Sequence, residues 1–249
     1  VFGPNTRLDV PGSFFASTAG GIGFEGGNYF DATGTFDSAV LNGDPTTLRF
    51  DGMSGSIVNF ANLAVSPGSS IAFTAANVLS LGSLTAPGGD VAMMAVPGTN
   101  LVRIYQGDNV LSLEMPLESV ESGLAAGGLG LPGLLSGSGL DAANEVQFVA
   151  RGGIQLVGSN VILPEGEGLA VTAGDIDVSN GAGVGGSVEI SGQWVGVIGP
   201  QQIDGSDIVL NAANDITFSD ANISVTETGA GIEAKAGDYI LALDSNIQT

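Results

Sequence analysis

Valine, isoleucine or leucine recurs on a three-beat register from residue 146 to the end of this chain. The first beats are Val146, Leu169, Val188, Ile208 and Ile232. Seven or eight residues later come Ile154, Ile176, Val195, Ile216 and Ile240. Fifteen residues after the first beats come Val161, Val184, Ile203, Ile223 and Ile247. Successive first beats lie 23, 19, 20 and 24 residues apart. A repeat near ~20 residues with three short apolar segments is the pattern of a solenoid. No turn of such a chain buries its own apolar side, so each must stack on its neighbours.

The segments themselves read as strands. In Ser187–Ser191, Asp207–Asn211 and Gly231–Lys235, apolar side chains alternate with polar or small ones. That period of two places Val188 with Ile190, and Ile208 with Leu210, on one face. Helical spacing is absent over any long window. Stacked turns would pair equivalent strands in parallel about 4.8 Å apart, with the two other sides of each turn serving as the crossover. The expected fold is therefore all-β, a three-sided parallel solenoid.

Three segments follow. Residues 1–115 hold short β-like runs at Arg7–Val10, Ser13–Ala16, Ile22–Phe24 and Leu48–Phe50, then a coil-like rhythm. Ile57–Phe60, Ile71–Thr74 and Val91–Met94 look like equivalent strands. Ile71 to Val91 spans 20 residues and Leu63 to Leu84 spans 21, both near the later period. Residues 116–144 break the pattern with a Gly/Leu/Ser-rich stretch. Leu117–Ser122 suits a short helix there, and Gly127–Gly139 a loop. This stretch reads as an excursion from a corner of the stack, or as a linker between two domains. Residues 145–249 read as regular turns. Residues 50–115 and 145–249 together would hold roughly eight turns and rise about 40 Å.

Composition narrows the partners. The 41 glycines among 249 residues exceed the usual share of about 7% and suit many tight turns. Five Lys and Arg face 26 Asp and Glu, a formal charge of −21. Such a surface repels phosphate backbones and anionic lipid heads, which argues against nucleic acid as a partner. Cations are natural companions, although acidity also serves simply to keep an apolar-rich rod soluble. With no Cys there is no disulfide or thiolate metal site, and with no His there is no imidazole base or ligand. No signal peptide is visible at Val1, so the chain reads as processed or as a fragment.

Paired carboxylates acting on sugars are the remaining catalytic option on such a scaffold. Close pairs occur at Glu165/Glu167, Asp175/Asp177, Asp204/Asp207 and Asp215/Asp220. A chain this acidic makes such pairs by chance, and no aromatic platform clusters with any of them. The expectation is that the protein is not an enzyme.

Asp175, Asp215 and Asp238 each follow Gly or Asn and directly precede a second beat. If the register is right, Asp215 and Asp238 stack in adjacent turns, close enough to welcome weakly bound calcium. The alternative is that each caps its own turn by accepting a backbone N–H. The glycine-rich nonapeptide of calcium-binding β-rolls is not reproduced. Asn59, Asn211 and Asn214 lie near strand ends, where amide ladders run along solenoids. Trp194, and Arg103 with Tyr105, are candidates for stacking on sugar, with plain packing as the alternative.

Several strings carry a family resemblance. Val1-Phe-Gly-Pro-Asn-Thr-Arg-Leu-Asp-Val10, Leu41-Asn-Gly-Asp-Pro-Thr46, Leu63-Ala-Val-Ser-Pro-Gly68 and Leu84-Thr-Ala-Pro-Gly-Gly89 are among them. Ala95-Val-Pro-Gly-Thr-Asn-Leu-Val-Arg103 followed by Leu111-Ser-Leu-Glu114 is especially characteristic. On these strings the chain resembles the two-partner secretion exoproteins of the filamentous haemagglutinin family, in particular cyanobacterial members with a haemagglutination activity domain. The resemblance implies a right-handed parallel β-helix, exported by an outer-membrane β-barrel transporter. It also implies a secreted or surface-attached product, often an adhesin. The segment with Asn-Pro-Asn motifs that precedes Phe-Gly-Pro-Asn in the family is absent from this sequence.

The expected function is a structural or adhesive role at the cell surface. Its receptor would be a surface molecule or glycan, and assembly into homo-oligomers or filaments would follow from unpaired strand edges at an end. The alternative is an extracellular polysaccharide-binding or polysaccharide-processing β-helix.

Overall fold

In a computed structural model of the protein, the structure describes residues 1–34, 41–52, 54–107, 110–114, 145–148, 154–157, 162–163, 168–180, 185–199, 202–225 and 230–249. Among these residues the chain forms strands and turns and no helix. The expected helix at Leu117–Ser122 and loop at Gly127–Gly139 lie outside the described residues.

Parallel strands stack into a three-sided β-helix. On the first side Phe14, Ile71, Val91, Val188, Ile208 and Ile232 stand in register. On the second, Ile57, Val78, Ala170, Val195, Ile216 and Ile240 do so. On the third, a six-stranded sheet aligns Leu63, Leu84, Ile176, Ile203, Ile223 and Ile247. Most of these side chains join one buried aliphatic core. Columns of this kind form because β-branched residues pack well on a pleated surface and every backbone group pairs above and below.

The sequence register holds fully for the last three coils and slips in the earlier ones. Leu169 pairs with Trp194 and Ile176 with Ile203, so both stand one side further round than expected. Val146 and Ile154 are not beats of a turn. They lie on adjacent antiparallel strands, Glu145–Phe148 and Ile154–Val157, with Ile162–Leu163 as a third. Ile57 belongs to the second side, whereas Ile71 and Val91 share the first. Arg7–Val10 forms no strand. Val161 and Val184 lie outside the described residues. Six positions per column make five inter-strand steps, so the stack rises about 24 Å rather than about 40 Å.

The shortfall comes from the second of two long excursions that leave from the same corner, between the first and second sides. One departs after Ser17 and returns at Ser56; the other departs after Ala95 and returns at Leu169. The stack continues across the second, since Val91 pairs with Val188 and Val78 with Ala170. This favours an excursion over a linker between domains. Local apolar periodicity misread its flanks because antiparallel strands carry the same alternation as solenoid strands.

The two excursions meet. Thr99–Gly107 of the second pairs antiparallel with Pro45–Asp51 of the first. Together with Val110–Glu114, Gly21–Phe24 and Tyr29–Asp31 they make a five-stranded sheet. Leu48, Phe50 and Val102 from this sheet bury against Val96 and Met94, with Phe15 and Ile22 packed alongside. Phe15 and Met94 belong to first-side strands but point away from the main core. A second apolar layer therefore covers that outer wall.

One end of the stack is filled by aromatic rings. Phe2 stacks on Phe73 at 5.6 Å between centroids, and Phe14 meets both rings edge-on. At the other end the coil of Ile232–Ala236, Tyr239–Leu243 and Asn246–Gln248 pairs on one side, leaving Ile240 51% and Ile247 44% exposed.

Candidate functional site

With aliphatic columns inside, the distinctive side chains stand at corners and on outer walls. The corners are held by side chains that accept hydrogen bonds from the next coil. Between the third and first sides, Ser13 Oγ accepts from Ser70 N–H at 3.0 Å, and Ser70 Oγ from Asp90 N–H at 3.0 Å. Asp90 Oδ1 accepts both the N–H and the hydroxyl of Ser187, at 2.8 and 2.7 Å. Asp207 Oδ1 accepts from Gly231 N–H at 2.9 Å. These residues were missed in the sequence, although a signal was there: each directly precedes a first-side core residue.

Asn59 does not stack in a ladder of amides: Ser80 and then Thr172 follow it in register. Asn59 is fully buried, donates to Ser80 Oγ at 3.1 Å and bonds both polar backbone atoms of Ala61 at 3.0 Å. Ser80 and Thr172, the equivalent residues of the next two coils, each donate to a carbonyl two residues on. Asn211 and Asn214 lie elsewhere, at the bend between the first and second sides, and Asn214 is buried.

The three aspartates do not form one row. Asp175 sits at the corner before the third side and accepts Gln202 N–H at 2.7 Å. That is capping, directed to the next coil rather than to its own turn. Its string, Ala-Gly-Asp-Ile, resembles the other two, but it belongs to a different corner.

Asp215 and Asp238 do come together, at the opening of the second side. Asp215 pairs with Tyr239, the residue after Asp238, and Asp238 N–H donates to Asn214 O at 2.9 Å. Asp215 Oδ1 is buried with no hydrogen-bond partner. Partial burial pushes the Asp215 carboxyl above the usual range. Repulsion from Asp238 adds to this, and the Tyr239 N–H opposes it. Burial likewise raises the Glu189 carboxyl on the first outer wall, against the Ser191 hydroxyl that donates to it.

The sign of the resulting pH dependence follows. A carboxyl whose folded pKa is raised favours the folded state when protonated. Stability is therefore greatest below the unfolded value of about 3.9 and declines as pH rises through the folded value. Asp215→Asn is expected to raise the unfolding midpoint at neutral pH and to flatten this decline. The gain should be at most about 1 kcal/mol, because the site is partly exposed and screened. Chemical denaturation of both proteins across the acid range checks it.

Among the described residues no group of three or more His, Cys, Asp or Glu is placed to hold a metal ion. Asp215 and Asp238 offer four carboxylate oxygens between them, short of the six to eight that calcium takes. Waters or hydroxyls would have to complete the shell. Melting the same two proteins with calcium and with chelator at low ionic strength tests weak binding. A rise that requires Asp215 supports it, and no shift ends it.

The other acidic pairs differ in use. Asp177 and Asp204 are neighbours on the third outer wall. Asp177 accepts the N–H and hydroxyl of Ser179, and Asp204 accepts from Gln202 and Ser224. Asp220 lies at a corner with φ of 55°, and Glu165 and Glu167 lie outside the described residues. Arg103 pairs in the excursion sheet, between Thr47 and Glu114.

Of the acidic pairs read from the sequence, one member, Asp215, has aromatic neighbours. Trp194 pairs in register with Asp215, and Asp215 with Tyr239. Adjacent Val195 and Ile216 point into the core, so these three form an outward column. Sequence separation of about 20 residues hid this neighbourhood, which only the stacking register creates.

Scans of protein-family models, of curated proteins and of solved structures find no match to the chain. What the protein does must be read from its own walls and ends.

Proposed function

We propose that the chain is a non-catalytic β-helix of the cell exterior with a structural or adhesive role. In this reading it travels by two-partner secretion, through an outer-membrane β-barrel transporter, as its haemagglutinin-like strings suggest. One observation carries the role. The interior is packed with apolar side chains, so whatever the molecule contacts must meet its outer walls, of which the third carries Asp177, Asp204 and Ser224. A stack stabilised by inter-strand hydrogen bonds needs no disulfide to persist outside a cell.

Antibody against the folded chain, applied to intact producing cells, is the test. Surface labelling that is lost after protease shaving supports the reading. Labelling that requires lysis overturns it.

Filament assembly is a second part of this reading, favoured by the exposed Ile240 and Ile247 beside a strand edge paired on one side. Sedimentation velocity should show association that grows with protein concentration; a single monomeric species at high concentration ends it. An extracellular polysaccharide-binding role suits the same walls.

A further inference from the structure

We propose that the Trp194–Asp215–Tyr239 column is a binding strip for an uncharged pyranose oligosaccharide, lying along the helix axis on the second outer wall. The proposal rests on the reading of this chain as an exterior, wall-presenting protein and names the chemistry that one wall recognises. The three residues occupy consecutive coils in register. Trp194 and Tyr239 thus lie two strand spacings apart, about 10 Å, with a carboxylate between them.

That alternation matches a pyranose chain. The C–H faces of the sugar carry slight positive charge and rest on the negative faces of aromatic rings. Its hydroxyls donate charge-assisted hydrogen bonds to a carboxylate. Asp215 would meet it through Oδ2, since Oδ1 is buried. A hydroxyl there would also offset the repulsion from Asp238.

The surroundings favour a flat, extended ligand. The next outward residue after Trp194 is Gly196, followed in register by Thr217 and Leu241. A Cβ at Gly196 would lie 3.3 Å from a Val171 methyl. Gly196 itself is buried, so the open part of the strip runs from Trp194 toward Tyr239, where Thr217 adds a hydroxyl. Trp194 is itself steadied from below, packed against a buried outer cluster that includes Leu169, Val171 and Ile198. Tyr239 is 39% exposed, an open platform at the far end of the strip. A net charge of −21 excludes sulfated and uronate glycans by repulsion.

A glycan array probed with the 249-residue chain, followed by calorimetric titration of the best ligand, tests the strip. Uncharged pyranose oligosaccharides should bind, and sulfated or uronate glycans should not. Tyr239→Ala and Asp215→Ala should each weaken binding about three- to tenfold. Because Trp194 also packs, Trp194→Phe is the informative change there, keeping an aromatic ring while weakening affinity. Melting curves confirm that each variant is folded. No glycan binding, binding indifferent to Tyr239 and Asp215, or a preference for anionic glycans overturns the proposal. Surface labelling without glycan binding would sink the strip alone. Glycan binding by a chain never found outside the cell would sink the exterior reading instead.

Discussion

Gly186→Ala is expected to cost about 3 kcal/mol or more of stability, an effect disproportionate to one added methyl group. A Cβ at Gly186 would stand 1.6 Å from the carbonyl oxygen of Gly89 in the coil beneath. The obstacle is backbone, and both corner segments are pinned. Gly186 N–H donates to Val178 O at 3.0 Å, Ser206 N–H donates to Gly186 O at 2.9 Å, and Gly89 N–H donates to Ala86 O at 3.0 Å. Relief of the clash must therefore break corner hydrogen bonds or spread the coils. Gly89 has the same relation to Ser69, at 2.0 Å, so the constraint runs along the corner. Denaturant midpoints of Gly186→Ala and of Gly55→Ala, where a Cβ meets nothing within 4 Å, decide the matter. Equal small losses in both would show that the coils are not in close contact at this corner.

Phe73→Ala should cost about 3 to 5 kcal/mol, the usual range for emptying a buried phenylalanine site. Phe73 is fully buried in the first-side strand Ile71–Ala75. Its ring carries the stacked ring of Phe2 and the edge of Phe14. Truncation removes the floor on which the first residues rest as well as core volume. Phe2 is otherwise tied down by its backbone bonds to Val58 O and from Phe60 N–H, both 2.8 Å. Limited proteolysis should then cut near the start of the chain at denaturant levels where the unaltered protein resists. A loss below about 1 kcal/mol, with unchanged proteolysis, would show that the rings do not close that end.

Legibility in the sequence followed distance along the chain. Val188, Ile208 and Ile232, with their second- and third-side partners, were readable because each coil there is uninterrupted and spacing alone sets the register. Leu63 with Leu84 and Ile71 with Val91 were readable for the same reason. Leu169 and Ile176 were placed one side early because the strands of Glu145–Val157 mimic a turn. Nothing local reveals that Val102 will pair with Leu48, since that contact depends on two loops meeting in space. The site divides similarly. Asp215 and Asp238 came together as the repeat implied. Asp175 separated from them because a tripeptide does not report which corner it occupies. The ladder of Ser13, Ser70, Asp90 and Asp207 was legible in principle, given the rule that the residue before a first-side core position caps the next coil.

The pairing of the two excursions also gives unfolding a direction. A simple stack loses coils from either end with equal ease, because each coil touches only its neighbours. Here the strands Pro45–Asp51 and Thr99–Gly107 join loops that spring from different coils. Opening any coil between them must also tear a second sheet and its apolar layer. Among the described residues the coils of Val188 onward carry no such brace. Fraying should begin at Ile232–Gln248 and travel toward Val91, so that amide exchange slows along the axis in that order. The protein then resembles a spring clamped at one end, stiff where the loops are joined and compliant where it presents Trp194 and Tyr239.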